Sequence, residues 1–305
     1  MKDEVLIHIS GGERISFPLQ RIKPAAGQKV CLARDHDPGF TAGLGDKSAA
    51  RSQLKANQRR LAGLQERLWA QDTKALLVIF QALDAAGKDS AIKHVMSGVN
   101  PQGCAVSSFK VPSEEELDHD YLWRASKALP RRGMIGIFNR SYYEEVLVVR
   151  VHPEHLGREK LPEGARKGDI WRRRFAEINA FERYLTANGI VVVKFFLHLS
   201  KEEQRKRFLA RIEEPEKNWK FSRHDYDERA YWEQYQQAYD DLLSSTNTKW
   251  APWYVIPADN KWFTRLCVSE VLVRTLRAMK LKYPEASPEL VADLRRIRRK
   301  LEKEG

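Results

Sequence analysis

Residues 75–98 read ALLVIFQALDAAGKDSAIKHVMSG, and this stretch decides the fold. An unbroken apolar run, Ala75 to Phe80, stops at a tight Ala/Gly turn, and Lys88 follows Gly87 at once. A helix-like segment, Ser90 to Met96, comes next. Strand, loop and helix in that order make a phosphate cradle, in which backbone N–H groups and a helix N-terminus face an anion and a lysine adds a mobile positive charge. Ala85, Ala86, Gly87, Lys88, Asp89 and Ser90 are the phosphate-binding candidates. Ala82 stands where glycine is usual and Asp89 where Ser or Thr is usual, while Asp84 lies inside the loop. A carboxylate among phosphate-binding amides repels the ligand unless a divalent cation lies between them. Asp84 is therefore a metal-ligand candidate, and the loop points to metal-bridged phosphate.

The 305 residues are enough for one large core or two modest ones, and the 42% hydrophobic fraction with eight Trp indicates a folded globular protein. No apolar run approaches the roughly 20 residues that cross a bilayer. The first residues, MKDEVLIHIS, lack the apolar centre of a signal peptide. Cys31, Cys104 and Cys267 stand far apart, as reduced thiols of a cytoplasmic protein do. Net charge is +12, which calls for a polyanionic partner or a basic surface without one. Nucleic acid, inorganic polyphosphate and anionic lipid all satisfy that condition.

Strand patterns recur at Cys104–Phe109, Met134–Phe138, Ile190–His198 and Trp253–Ile256, with helical stretches between them at Ser90–Gly98, Glu114–Ala128, Ile170–Ala187, Lys201–Ile212 and Asp227–Ser244. A further helix follows at Lys261–Lys280. Buried strands separated by helices predict an α/β fold with a parallel sheet covered on both faces. Its ligands then sit on the rim at the strands' carboxyl ends. Residues 1–50 read as an irregular arm, and a helix from about Ser48 to Ala70 carries Leu54, Leu61, Leu64 and Leu68 at helical spacing. Ser287-Pro288-Glu289 opens a last helix with an apolar stripe at Leu290, Leu294, Ile297 and Leu301 and a basic opposite side. That stripe is expected to pack on the body or on a second subunit.

Two further segments bear chemistry. The strand ending at Phe138 runs into Asn139-Arg140-Ser141-Tyr142-Tyr143-Glu144. Beside the cradle, Arg140 would neutralise charge on a transferred phosphoryl group, and Asp84, Asn139 or Glu144 would hold a metal. Arg207 and Arg211 are four apart on one helix face, and the polar segment after Pro215 carries Lys217, Lys220 and Arg223. Together these cations could close as a lid over a string of phosphates. Solvated helix faces and an ordinary ion pair are the plainer readings of both segments. A nucleic-acid-binding protein without catalysis is the competing class, but no recognition module or base-reading pattern is present.

QALDAAGKDSAIKHVMSGVNPQG, HDYLWR (His119–Arg124), IFNRSYYEEVLVVRVHPE, KFFLHLSKEEQRKRF, NWKFS and APWYVIPADNKWF together resemble the family-2 polyphosphate kinases, from about Arg51 to Leu281. The resemblance implies a three-layer α/β/α P-loop kinase fold with a helical lid. It implies reversible phosphoryl transfer between inorganic polyphosphate and AMP, ADP or related nucleotides, giving ADP or ATP. Mg²⁺ is the implied cofactor, with Mn²⁺ able to replace it, in a cytoplasmic homo-oligomer (dimer or tetramer) that needs no membrane and no specific nucleic acid. Residues 51–281 would be the kinase core, with its lid at about 205–228, and residues 282–305 a C-terminal basic amphipathic helix. By position, Asp84 and Lys88 fall in the Walker A loop, and Asn139 and Arg140 in the Walker B segment. Many members have Asp where Asn139 stands, which shifts metal ligation toward Asp84. Arg124, Asn139, Arg140 and Glu144 are the implied nucleotide contacts. Asp84, Lys88, Arg140 and Glu144 are the implied catalytic set. Glu144 resembles the subclass that phosphorylates both nucleoside mono- and diphosphates, and Lys217, Trp219 and Lys220 match the lid motif.

Overall fold

All seven residues of the strand Ala75–Gln81 are buried, because helices cover the sheet on both sides. The structure is a computed structural model that describes residues 4–8, 14–45, 47–166 and 168–304. Along the chain, β1 (Glu4–His8) and β2 (Arg14–Pro18) pair as an antiparallel hairpin, and α1 (Lys47–Gln71) leads to β3 (Ala75–Gln81) and α2 (Lys88–Val95). Next come β4 (Cys104–Ser108), β5 (Ile135–Asn139), α3 (Ile170–Ala187), β6 (Ile190–His198) and α4 (Lys201–Glu213). The chain finishes with α5 (Trp232–Thr246), β7 (Trp253–Pro257), α6 (Lys261–Ala278) and α7 (Pro288–Leu301).

Strands β3 to β7 form one parallel sheet in the order β4-β5-β3-β6-β7. The two-residue alternation of β3 sends Leu76, Val78 and Phe80 to one face, where they pack with Leu61, Leu64 and Leu68 of α1, Ile92 of α2 and Leu266 of α6. Leu77 and Ile79 point the other way, onto Ile178 of α3 and Leu242 of α5. Two apolar faces explain why the sequence shows a continuous run and not an alternating one. Each fully buried leucine of this kind contributes about 2 kcal/mol. The order reverses direction at β3, with β5 on one side and β6 on the other, so the carboxyl end of β3 opens into the crevice where α/β folds bind ligands.

Three expectations meet corrections. Residues 1–50 are not wholly irregular: besides the hairpin, the arm lays Ile22 against β7, whose Val255 N–H donates to the Ile22 carbonyl at 2.8 Å. That contact uses backbone groups an edge strand would otherwise leave open. The remainder of the expected arm, at residues 1–3, 9–13 and 46, lies outside the described residues. The single helix expected over Glu114–Ala128 is two short ones, Glu114–Leu117 and Trp123–Lys127. Ser113 and Glu116 close a capping box on the first. Asp120 then turns the chain, its carboxylate accepting from Leu122 N and its carbonyl from Trp123 N. Finally, α7 buries none of its residues, and Leu290, Leu294, Ile297 and Leu301 are each 48–61% exposed, so the stripe does not pack on the body. Among the described residues no helix is long and apolar enough to cross a membrane.

Candidate active site

The loop between β3 and α2 turns through two left-handed residues, Ala85 (φ 63°) and Gly87 (φ 100°). Its carbonyls are tied to side chains. Lys88 Nζ donates to Ala82 O at 2.9 Å, Gln204 Nε2 to Asp84 O at 3.0 Å, and Arg207 to Ala85 O and Ala86 O at 2.9 and 3.0 Å. In a planar trans peptide C=O and N–H point opposite ways, so α4 holds three of these carbonyls and turns the N–H of the same peptides away from itself. Burial, then the like charge of Arg140, hold the Lys88 ammonium below its ordinary pKa, while Asp84, Glu144 and Asp89 pull it back. A half-buried cation in that state favours an anion beside it.

Strand β5 lies next to β3, with Asn139 opposite Phe80, so its carboxyl end opens at the loop. Arg140 is left-handed (φ 63°), a conformation that costs a non-glycine residue about 1–3 kcal/mol. The turn aims its guanidinium at Asp84 (2.9 Å) and Glu144 (3.8 Å). Asp84 and Arg140 are 24% and 39% exposed, and a pair this wet contributes about 1 kcal/mol at most. The ion pair alone does not offset the strain, so the surrounding structure must hold the turn, the Arg140 N–H bond to the Phe80 carbonyl at 3.0 Å among its ties. Glu144 foremost, with Asp84, pushes the Arg140 pKa up, so the charge is permanent.

Glu144 is fixed in turn by buried Gln81, whose amide donates to it at 2.7 Å and accepts from Ser141 Oγ at 3.2 Å. Asp84, Arg140 and Glu144 line a cavity of about 350 Å³, together with Phe109, Tyr121, Arg124, Gln204 and Asp225. Sites for small organic ligands span roughly 300–1,000 Å³. Lys88 does not line this cavity; it reaches the site from behind Ala82, which does.

The remaining candidates fall into two groups. Arg124 lines the cavity, but it is buried and spends donors on Lys110 O (2.8 Å) and Glu145 (3.4 Å). Asn139 donates its amide to Asp89 at 2.5 Å, and Ser90 Oγ accepts from Arg265 at 2.8 Å. Arg207, expected to hold phosphate, is placed differently. All five of its N–H groups go to protein acceptors: Glu203, Ala85, Ala86, Ala258 and Asp259. It clamps the loop to the segment after β7 and has no donor left. Arg211 likewise braces the segment after α4, donating to Lys220 O and Asp225 at 3.1 Å each. Lys217 pairs with Glu214, and Lys220 lies 4.9 Å over the exposed Trp219 ring. The sequence reading missed Gln81, Gln204, Lys261 and Arg265. Burial, then Arg207, Lys217 and Arg265 among others, lower the Lys261 pKa, which marks a cationic cluster near the loop. A polar residue closing an apolar strand was the available signal for Gln81; the others carried none.

The polyphosphate kinase 2 (PPK2) family model matches residues 45–284. The ADP-polyphosphate phosphotransferase of Rhodopseudomonas palustris is 55% identical over 249 residues, which cover 81% of this chain and 86% of that one. The AMP/ADP-polyphosphate phosphotransferase of Meiothermus ruber is 45% identical over 258 residues, covering 84% and 92%. The crystal structure of polyphosphate kinase 2 from Arthrobacter aurescens TC1 aligns with a TM-score of 0.81 at 40% identity, over 92% of this chain and 95% of that one. Motifs, strand order and site geometry agree with these likenesses, and the chain belongs to the polyphosphate kinase 2 family.

Proposed function

We propose that this protein transfers the terminal phosphoryl group of inorganic polyphosphate to AMP and ADP. The observation that carries the reading is the placement of Asp84, on a loop backed by Lys88, beside Arg140 and Glu144 of the segment after β5, the three lining one ligand-sized cavity. Two polyanions must meet there, and their repulsion is the main barrier to the encounter. The acceptor nucleotide fills the cavity with its phosphate on Arg140. The donor chain approaches the loop past Lys261 and Arg265. An ionised oxygen of the acceptor phosphate attacks the terminal phosphorus in line, forming one P–O bond as the bridging P–O bond breaks. The shortened polyphosphate keeps the bonding pair. No general base is needed, since the attacking oxygen carries no proton at neutral pH, and Lys88 and Arg140 offset the charge that crowds the loop.

Asp84 and Asn139 supply hard oxygen atoms suited to Mg²⁺ or Mn²⁺. Among the described residues no cluster of three or more His, Cys, Asp or Glu could hold a metal. Such a donor set fits an ion that is carried mainly by substrate phosphates and water, with one or two protein carboxylates. When bound, that ion supplies charge neutralisation between Asp84 and phosphate oxygens.

The test incubates pure protein with polyphosphate, Mg²⁺ and either AMP or ADP, and separates nucleotides by chromatography. ADP from AMP and ATP from ADP are expected. Product from ADP alone would narrow the activity to the one that the Rhodopseudomonas relative's name states, and no product from either would overturn the proposal.

A further inference from the structure

A charged pair lies on the opposite side of the 140–146 segment from the cavity, in the layer formed by α3 and α5. Lys194 sits in the middle of β6 and is 0% exposed, as is Glu182 of α3. All three ammonium protons have partners: Glu182 Oε2 at 2.6 Å, Tyr143 Oη at 2.8 Å and the Thr246 carbonyl at 2.8 Å. Glu182 Oε1 accepts from the hydroxyls of Tyr142 (2.9 Å) and Tyr143 (2.8 Å). Trp253 Nε1 closes the group through Thr246 Oγ1 at 2.9 Å. Five elements meet at this point: the 140–146 segment, α3, β6, α5 and β7.

Burying such a pair seldom stabilises a fold more than apolar side chains of the same volume would. What it supplies is direction, because hydroxyls bonded to a fixed carboxylate cannot slide as packed rings can. Tyr142 and Tyr143 immediately precede Glu144 and follow Arg140, whose left-handed backbone requires its surroundings to hold it. The two rings point into the buried layer, while Arg140 and Glu144 face the cavity from the same short turn.

We propose that Lys194 and Glu182 are positioning residues for phosphoryl transfer: through the hydroxyls of Tyr142 and Tyr143 they fix the 140–146 segment, and so keep Arg140 and Glu144 on Asp84 and Gln81. The inference rests on the activity proposed above. It assigns to the pair an effect on turnover that exceeds its effect on folding.

The experiment uses the full chain carrying Lys194→Met with Glu182→Leu, which removes both charges together and strands neither. Thermal unfolding is recorded beside kcat and KM for AMP, ADP and polyphosphate, with the unmodified protein in parallel. A shift of about 1 Å in catalytic groups costs on the order of a hundredfold in rate, so kcat is expected to fall about ten- to a hundredfold while KM for polyphosphate stays within about twofold. Melting temperature is expected to fall by several degrees, because the Tyr142 and Tyr143 hydroxyls and the Thr246 carbonyl lose buried partners, a loss too small to unfold the chain and separate from the loss in kcat. Wild-type kcat in a folded double variant would overturn the proposal, as would equal losses in kcat and in polyphosphate affinity. If the double variant does not fold, Tyr143→Phe, which keeps the charge pair, decides: a loss of kcat at unchanged melting temperature supports the positioning role, and no loss overturns it. Inactive unmodified protein would instead refute the activity on which the inference rests.

Discussion

Replacing Arg207 by lysine separates a clamp from a phosphate ligand. The guanidinium bonds Glu203 at 2.9 Å, Ala85 and Ala86 at 2.9 and 3.0 Å, and Ala258 and Asp259 at 2.6 and 3.0 Å, and the residue is 7% exposed. Lysine offers three N–H donors, so at least two of those acceptors lose their partner. Hydrogen bonds to a charged group contribute about 1.5–3 kcal/mol each, and re-entering water offsets part of the loss, which leaves about 2–4 kcal/mol. For a chain of this size that lowers the melting temperature by roughly 3–6 °C. The freed carbonyls of Ala85 and Ala86 let the loop relax, so kcat is expected to fall about ten- to a hundredfold. KM for polyphosphate is expected to change little, because Arg207 has no donor facing it. Calorimetry and initial rates against polyphosphate at fixed AMP measure both quantities. An unchanged melting temperature together with a tenfold or larger rise in a salt-dependent KM would refute the clamp and restore Arg207 as a phosphate ligand.

Lys88→Ala should lower kcat by about 10²–10³-fold, the usual cost of removing a charge-stabilising donor. Its hydrogen bond to Ala82 O limits the stability loss to about 1.5–3 kcal/mol, and a protein that fails to fold would make Lys88 structural. Glu144→Asn should slow phosphorylation of AMP more than that of ADP, and equal slowing would count against the assignment of Glu144 to acceptor choice. Lys217→Ala combined with Lys220→Ala should raise KM for polyphosphate and flatten its salt dependence; an unchanged KM would leave the lid without a role in donor binding. Burial lowers the His198 pKa from 6.5 to about 4, and its Nδ1 has no hydrogen-bond partner. The folded state therefore resists the proton that the unfolded chain accepts, so this contribution to stability is intact above pH 6.5 and is lost as pH falls toward 4. The span corresponds to about 3 kcal/mol. Denaturant melts across that window should show an acid limb that His198→Phe flattens.

Most of the sheet was legible because β3, β5, β7 and most of β6 are buried, which leaves contiguous apolar runs between helical patterns, whereas the edge strand β4 is largely exposed. The placement of Asp84, Arg140 and Glu144 was legible for a related reason: they follow the ends of two neighbouring strands, so strand order brings them together, whereas Lys88 lies outside the cavity lining. The helix over Glu114–Ala128 failed as one element because Asp120 bonds its own backbone neighbourhood, a local competition that apolar periodicity does not register. Arg207 failed for a different reason. A sequence states how many cations a helix carries but not which carbonyls will take their protons, and here those acceptors come from the loop after β3 and the segment after β7.

Lys194 shows the same gap from the other side. It is the only charged residue in the nine-residue strand IVVVKFFLH, and an uncompensated ammonium at such a position would cost several kcal/mol. The strand pattern therefore required a buried carboxylate somewhere in the chain. Nothing local identified Glu182, because α3 also contains Glu177 and only the packed turn decides which of the two faces inward. The physical demand was readable in the sequence, whereas its answer depended on tertiary placement. Where a strand of a parallel sheet carries one charge amid apolar residues, the partner that satisfies it and the segment that partner holds are the places to look for control of the site.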